Sequence, residues 1–156
     1  MKQVTYVLEI ALRDILREEL GGTYSVSVGY GDTLPETGYG TTSVQFGSSP
    51  ENVQKLTDAV MKEVDRLRRE GPSEADVKAV KETEKNDLQE SYKSNDFWLG
   101  SLQTAAILNR DPKRIALRLE RADSLTQDNI HAAFTKYFPA DRYTIVTLAP
   151  EQAASN

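Results

Sequence analysis

The 156-residue chain contains no cysteine and a single histidine, His131. The first absence excludes disulfides, thiolate zinc sites and a cysteine nucleophile, while saying nothing about compartment. The second excludes any zinc motif that needs two histidines from this chain. A Ser-His-Asp triad would have to use His131, in "DNIHAAFTKYF". There it shares a helical stripe with Phe134 and Phe138, and such periodicity favours packing at a core edge. No apolar run approaches the roughly 20 residues needed to cross a bilayer, so no membrane span is expected. The opening "MKQVTYVLEIALRDIL" carries Glu9 and Arg13 inside its apolar stretch, unlike a signal peptide. Basic blocks are missing too. The 19 Lys and Arg stand against 24 Asp and Glu, for a net charge of −5, so nucleic acid and anionic membranes are not expected partners. The glycines of positions 29–40 lack a Gly-Lys-Ser/Thr sequence and do not open into a helix, which excludes a phosphate loop. Glu18 and Glu19 sit beside basic residues and read as a solvated face rather than a hydrolase dyad.

What is present describes one domain over 1–150 with a polar tail at 151–156. The first helix is expected from Gln3 to Leu20, with Val4, Leu8, Leu12, Ile15 and Leu16 as its buried stripe. Gly21-Gly22 stops it, because glycine takes the left-handed conformation without a Cβ clash. Tyr24-Val26-Val28-Tyr30 and Thr42-Val44-Phe46 each alternate with small polar residues, which predicts two strands of a sheet covered by helices on one side only. "GDTLPETGYG" between them is too long for a tight hairpin and reads as a mobile loop.

Helices follow. Ser49 and Pro50 start one that carries Val53, Leu56, Val60, Val64 and Leu67 and ends at Gly71-Pro72. Ser73 and Asp76 form a capping box for the next, with a thin stripe of Val77, Val80 and Leu88. "NDFWLGSLQTAAILN" is apolar enough to be expected inside. Asp111-Pro112 restarts a short helix, Thr126 caps the last, and "DRYTIVTLAP" is expected to be a final strand.

Arg17 lies nearly opposite the buried stripe, so its ordinary fate is solvation. Yet Tyr6, Ile10 and Arg13 share its face, and large apolar residues there suggest that something covers it. The glycine turn is able to fold Tyr24 back toward Arg17. A phenol beside a guanidinium can bind a peptide carbonyl and stabilise an oxyanion. Against this, strict alternation puts Tyr24 on the Val26/Val28 face, toward the helices.

"LREELGGTYSVSV" resembles the arginine–tyrosine segment of the pitrilysin/insulysin zinc metallopeptidases: an arginine on a helix, a Leu-Gly turn, and a tyrosine seven positions after the arginine. "VQFGSSPENVQKL", "EVDRLRREGPSEADVKAVK", "NDFWLGSL" and "YFPADRYTIVTLAP" agree in order, so the resemblance runs from about Leu8 to Pro150. It implies an α+β domain, a mainly antiparallel sheet with helices packed on one face, as in the LuxS/mitochondrial-processing-peptidase-like metallopeptidases. It also implies a peptide substrate held by Arg17, with Tyr24 stabilising the tetrahedral intermediate on a zinc ion. That zinc belongs to an inverted His-x-x-Glu-His helix in the opposite half of the complete enzyme. This chain lacks the motif, so it is expected to hold no cofactor and to be inactive alone, with the zinc-bearing half supplied by the same protein or a partner subunit. Strands that precede the first helix in the family are also missing, which reads as a C-terminal domain truncated at its N-terminus. Its exposed sheet edge is expected to recruit other strands and give dimers or larger species. Two rivals stand beside this reading: a non-catalytic structural or assembly domain of the same fold, and a serine hydrolase built on His131.

Overall fold

A computed structural model of the chain describes residues 1–21, 23, 25–32 and 40–148, with the side chains of Glu18, Glu19 and Asp32 outside that set. The first helix, α1 (Lys2–Arg13), is the centre of the domain. Its stripe of Val4, Val7, Leu8 and Leu12 is continued by Leu16, and the last four of these have no exposed surface. It packs against the first strand and three later helices at once. Burial of each such side chain stabilises the fold by about 1.5–3 kcal/mol.

The expected helix to Leu20 is not uniform. From Asp14 to Glu19 the chain winds as a π-helical turn, in which the Leu20 N–H donates to the Ile15 carbonyl at 3.1 Å, five residues back. The wider turn shifts the residues after it relative to the α-helical stripe. Leu16 is buried while Ile15, expected beside it in the core, is only partly buried. Gly21 then takes a positive φ of 57° and reverses the chain.

Strands β1 (Val26–Asp32) and β2 (Gly40–Phe46) pair antiparallel, with Val26 opposite Phe46, Val28 opposite Val44 and Tyr30 opposite Thr42. Val26, Val28, Val44 and Phe46 face the core, whereas Ser27, Ser43 and Gln45 are exposed. The sheet is thus covered on one side, as the alternation predicts. The connecting residues 33–39 lie outside the described set.

A short 3₁₀ turn (Pro50–Asn52) leads into α2 (Val53–Glu70), and Gly71 closes it at φ 78°. Helix α3 (Glu74–Ser91) begins with the Ser73/Asp76 capping box. Helix α7 (Gln127–Tyr137) begins with another, in which Thr126 accepts from the Asn129 N–H and Asn129 accepts from the Thr126 N–H. Between them lie α4 (Asn95–Ile107), α5 (Lys113–Ala116) and α6 (Arg118–Asp123). Leu56, Val60, Leu67, Val77, Val80, Ile130 and Phe134 complete the core.

Two expectations fail. Helix α4 is mostly uncovered: Ala105 alone is buried, while Leu99 and Ile107 are 59% and 79% exposed. Its aromatic start is anchored, with the Trp98 Nε1–H donating to the Tyr92 carbonyl and the Tyr92 hydroxyl to that of Ile115. Among the described residues, nothing covers the rest of its apolar surface. Nor do residues 142–148 form a strand. Residues 142–148 are irregular, and Ile145, Val146 and Leu148 are exposed, the last by 95%. Alternation suits a chain to a ladder without supplying the ladder's other half, and no described strand pairs with this segment.

Candidate functional site

Arg17 sits in the π-helical turn with its side chain exposed, four residues before the Gly21 reversal. The π-turn ends the helix and offsets Arg17 from the α-helical repeat of α1. Its expected companion, Tyr24, lies outside the described residues, as does Gly22. Val26, two positions further on, is buried against the core.

The rest of the Arg17 face is different from its sequence reading. Tyr6 and Ile10 are partly buried against the domain's own core. A cleft of about 190 Å³, lined by Tyr6, Glu9, Val28, Val80, Thr83 and Asp87, shows that β1 and α3 flank Tyr6. Both side chains are therefore partly covered by the domain itself. Arg13 is paired with Glu9, Nη2 to Oε1 at 2.9 Å. The other Glu9 oxygen accepts the Val28 N–H at 3.1 Å, a contact that the sequence reading missed. Its signal was a carboxylate within an apolar helix four residues before an arginine.

His131 is structural. Its Nε2 lies 2.9 Å from the Arg68 carbonyl, and since a carbonyl only accepts, that nitrogen carries the hydrogen. The Thr135 hydroxyl is 3.3 Å from the same oxygen. Arg68 is near the end of α2, so the two side chains of α7 satisfy a carbonyl that has no partner within its helix. Gly71 fits beneath the imidazole, where a Cβ would stand 3.1 Å from the His131 Cβ and Cγ. A nitrogen committed as a donor to the backbone is unsuited to serve as the general base of a triad.

Glu63 was also unforeseen. It is buried on the core side of α2 and is held by Arg66 through Nη2–Oε1 at 2.6 Å and Nε–Oε2 at 2.9 Å. The pairing pushes the Arg66 pKa above its ordinary value. Among the described residues, no three His, Cys, Asp or Glu come together as a group able to hold a metal ion. With one histidine and no cysteine, the residues of this chain do not fit a zinc site.

The described residues thus form a helical domain with one two-stranded antiparallel hairpin, entered through an arginine-bearing turn. The chain belongs to the M16 peptidase family: the family described as the peptidase M16 inactive domain matches residues 6–84, which include Arg17 and Tyr24. Among its relatives is a zinc protease PQQL-like protein of Arabidopsis thaliana, 32% identical over 94% of this chain and 17% of its own length. In fold it is similar to a peptidase M16 inactive domain from Pseudomonas fluorescens, with a TM-score of 0.74 and 19% identity over 90% of this chain and 35% of the other. It is also similar to the periplasmic protease PqqL from Escherichia coli, with a TM-score of 0.70 and 19% identity over 87% of this chain and 15% of the other. The chain thus spans about a sixth of the length of its curated relative.

Proposed function

We propose that this chain is the substrate-binding and oxyanion-stabilising domain of a zinc metalloendopeptidase that hydrolyses peptides. The zinc is held elsewhere, in another part of the complete protein or in a partner subunit. Arg17 holds the backbone of the peptide by charge-assisted hydrogen bonds to a carbonyl oxygen. Tyr24 donates its hydroxyl to the oxygen on which negative charge develops as the peptide bond is attacked. The observation that carries the reading is the position of Arg17, exposed in a π-turn that feeds directly into the glycine reversal before Tyr24. The test is turnover together with melting temperature for Tyr24→Phe and Arg17→Ala in the complete protease. Loss of turnover with folding retained supports the proposal; unchanged turnover in both variants overturns it.

A second reading is that the domain is structural, serving assembly rather than catalysis. The exposed apolar side chains of α4 and of residues 143–148 favour it, because large apolar side chains gathered at a surface are characteristic of interfaces. Under either reading the domain docks against the zinc-bearing part, and its sheet edge associates with further strands when that part is absent. Turnover separates the two, since an assembly domain leaves it intact in both variants.

A further inference from the structure

Four arginines, Arg110, Arg114, Arg118 and Arg121, line one cleft of about 120 Å³ beside Ser101 at the junction of α4, α5 and α6. Their concentration is local, for the chain as a whole carries a net charge of −5. Every ion pair described for the domain involves other cations: Lys2, Arg13, Arg66, Arg68, Arg69, Lys85 and Lys93. Asp111 also lines the cleft, so its carboxylate, whose Oδ1 accepts the Lys113 N–H at 2.9 Å, offsets one of the four positive charges. The nearby Asp123 is taken by Lys85 of α3 at 2.8 Å.

The guanidiniums are partly held in place. Arg118 lies over the Phe97 ring, 5.3 Å from its centroid, and Phe97 packs against Tyr92 and Trp98. The Arg121 Nη2 is 3.4 Å from the Arg114 carbonyl. Like charges brought to one cleft repel one another, and an anion relieves that repulsion. Arginine suits an oxyanion best, because its planar fork donates two parallel hydrogen bonds. All four arginines are exposed, so a small oxyanion reaches the cleft directly from solvent. Four arginines lining one cleft match a group with two or more charges and several acceptor oxygens, which a phosphate has and a single carboxylate lacks.

We propose that the α4–α6 cleft binds a phosphate-type oxyanion through Arg110, Arg114, Arg118 and Arg121. The site stands apart from Arg17 and independent of the catalytic reading. Its test is isothermal titration of the chain with pyrophosphate at matched ionic strength, with amide shifts mapped by NMR. One saturable site per chain is expected, with shifts centred on residues 101–121 and affinity falling as salt rises from about 50 to about 200 mM. Arg110→Ala, in the loop before α5, and Arg114→Ala together are expected to weaken binding about tenfold or more. Arg69→Ala, which removes a cation on α2, is expected to leave it unchanged. Circular dichroism of each variant checks folding, and Arg110→Ala alone provides the milder change if the double variant unfolds. Absence of saturable binding, equal binding by folded variants, or shifts elsewhere on the domain overturns the proposal. So does tighter binding of a hexaglutamate peptide than of pyrophosphate, which assigns the cleft to an acidic protein partner.

Discussion

Glu9 on α1 accepts the Val28 N–H of β1 at 3.1 Å, so a helix carboxylate takes the bond that a neighbouring strand's carbonyl otherwise makes. Exposed strand edges attract other strands, and blocking one donor is a means of restraining this. Arg13, paired with the other oxygen, fixes the carboxylate in place. Glu9→Ala is expected to lower stability by about 1–2 kcal/mol, the cost of leaving a half-buried donor unpaired. It is also expected to increase self-association. Denaturant unfolding and sedimentation velocity check the two effects, and no change in either would refute this role for Glu9.

Arg66 is expected to matter more than other arginines of α2. Replacing it with methionine leaves the buried Glu63 carboxylate without its two charge-assisted hydrogen bonds. A loss of about 2 kcal/mol is expected. Glu63→Gln/Arg66→Met together is expected to recover part of that loss, because the uncompensated charge is gone. A double variant no more stable than Arg66→Met alone would count against burial of the charge as the cause.

Acidity is expected to loosen the tie between α3 and α6. The hydrogen bond from Lys85 holds the Asp123 carboxyl below its ordinary pKa. A carboxyl with a lowered folded-state pKa stabilises the fold above its unfolded pKa, and that contribution vanishes as pH falls through the folded value. Both side chains are well exposed, so the effect is small and screened by salt. Asp123→Asn is expected to melt slightly below the parent chain at neutral pH and low salt. At a pH below the usual carboxylate range the two melting temperatures should converge, and a constant gap would exclude the carboxylate as its source.

For the proposed site, removing one oxyanion donor with Tyr24→Phe is expected to cost on the order of 100-fold in turnover, roughly 3 kcal/mol, in the complete protease. A tyrosine that only packs would lose at most the stability of one hydrogen bond, about 1 kcal/mol, with turnover intact. Arg17→Ala is expected to raise KM more than Tyr24→Phe does, since it removes a contact already made with the bound substrate.

Zinc itself is expected to find no stoichiometric site on this chain. The motive is the ligand supply, one histidine whose Nε2 faces the Arg68 carbonyl. Calorimetric titration that gives one tight zinc per chain, lost in His131→Ala, would overturn this.

The strong local signals of the sequence hold in the structure. Alternation around Val26, Val28, Val44 and Phe46 predicts the hairpin and its buried face. Ser73 and Thr126 announce the starts of α3 and α7, because a capping hydroxyl acts within three residues of itself. The Arg17-to-Tyr24 spacing points to the family. The alternation of Tyr143 to Leu148 misleads, and so does the apolar content of α4, because composition states what a segment is able to bury and not what arrives to bury it.

What the sequence by itself determined is therefore the local and the excluded: helix starts and stops, the faces of the hairpin, and a ligand set too poor for zinc. Tertiary structure alone decided the rest. It turned Asp14–Glu19 into a π-turn, placed Tyr6 and Ile10 against the domain's own interior, and brought Glu9 to Val28 and His131 to Arg68 across 19 and 63 residues. The physical reason is range. Propensity and capping act through neighbours along the chain, whereas partners for a strand edge, a helix-end carbonyl or a buried carboxylate exist only after distant segments have packed together.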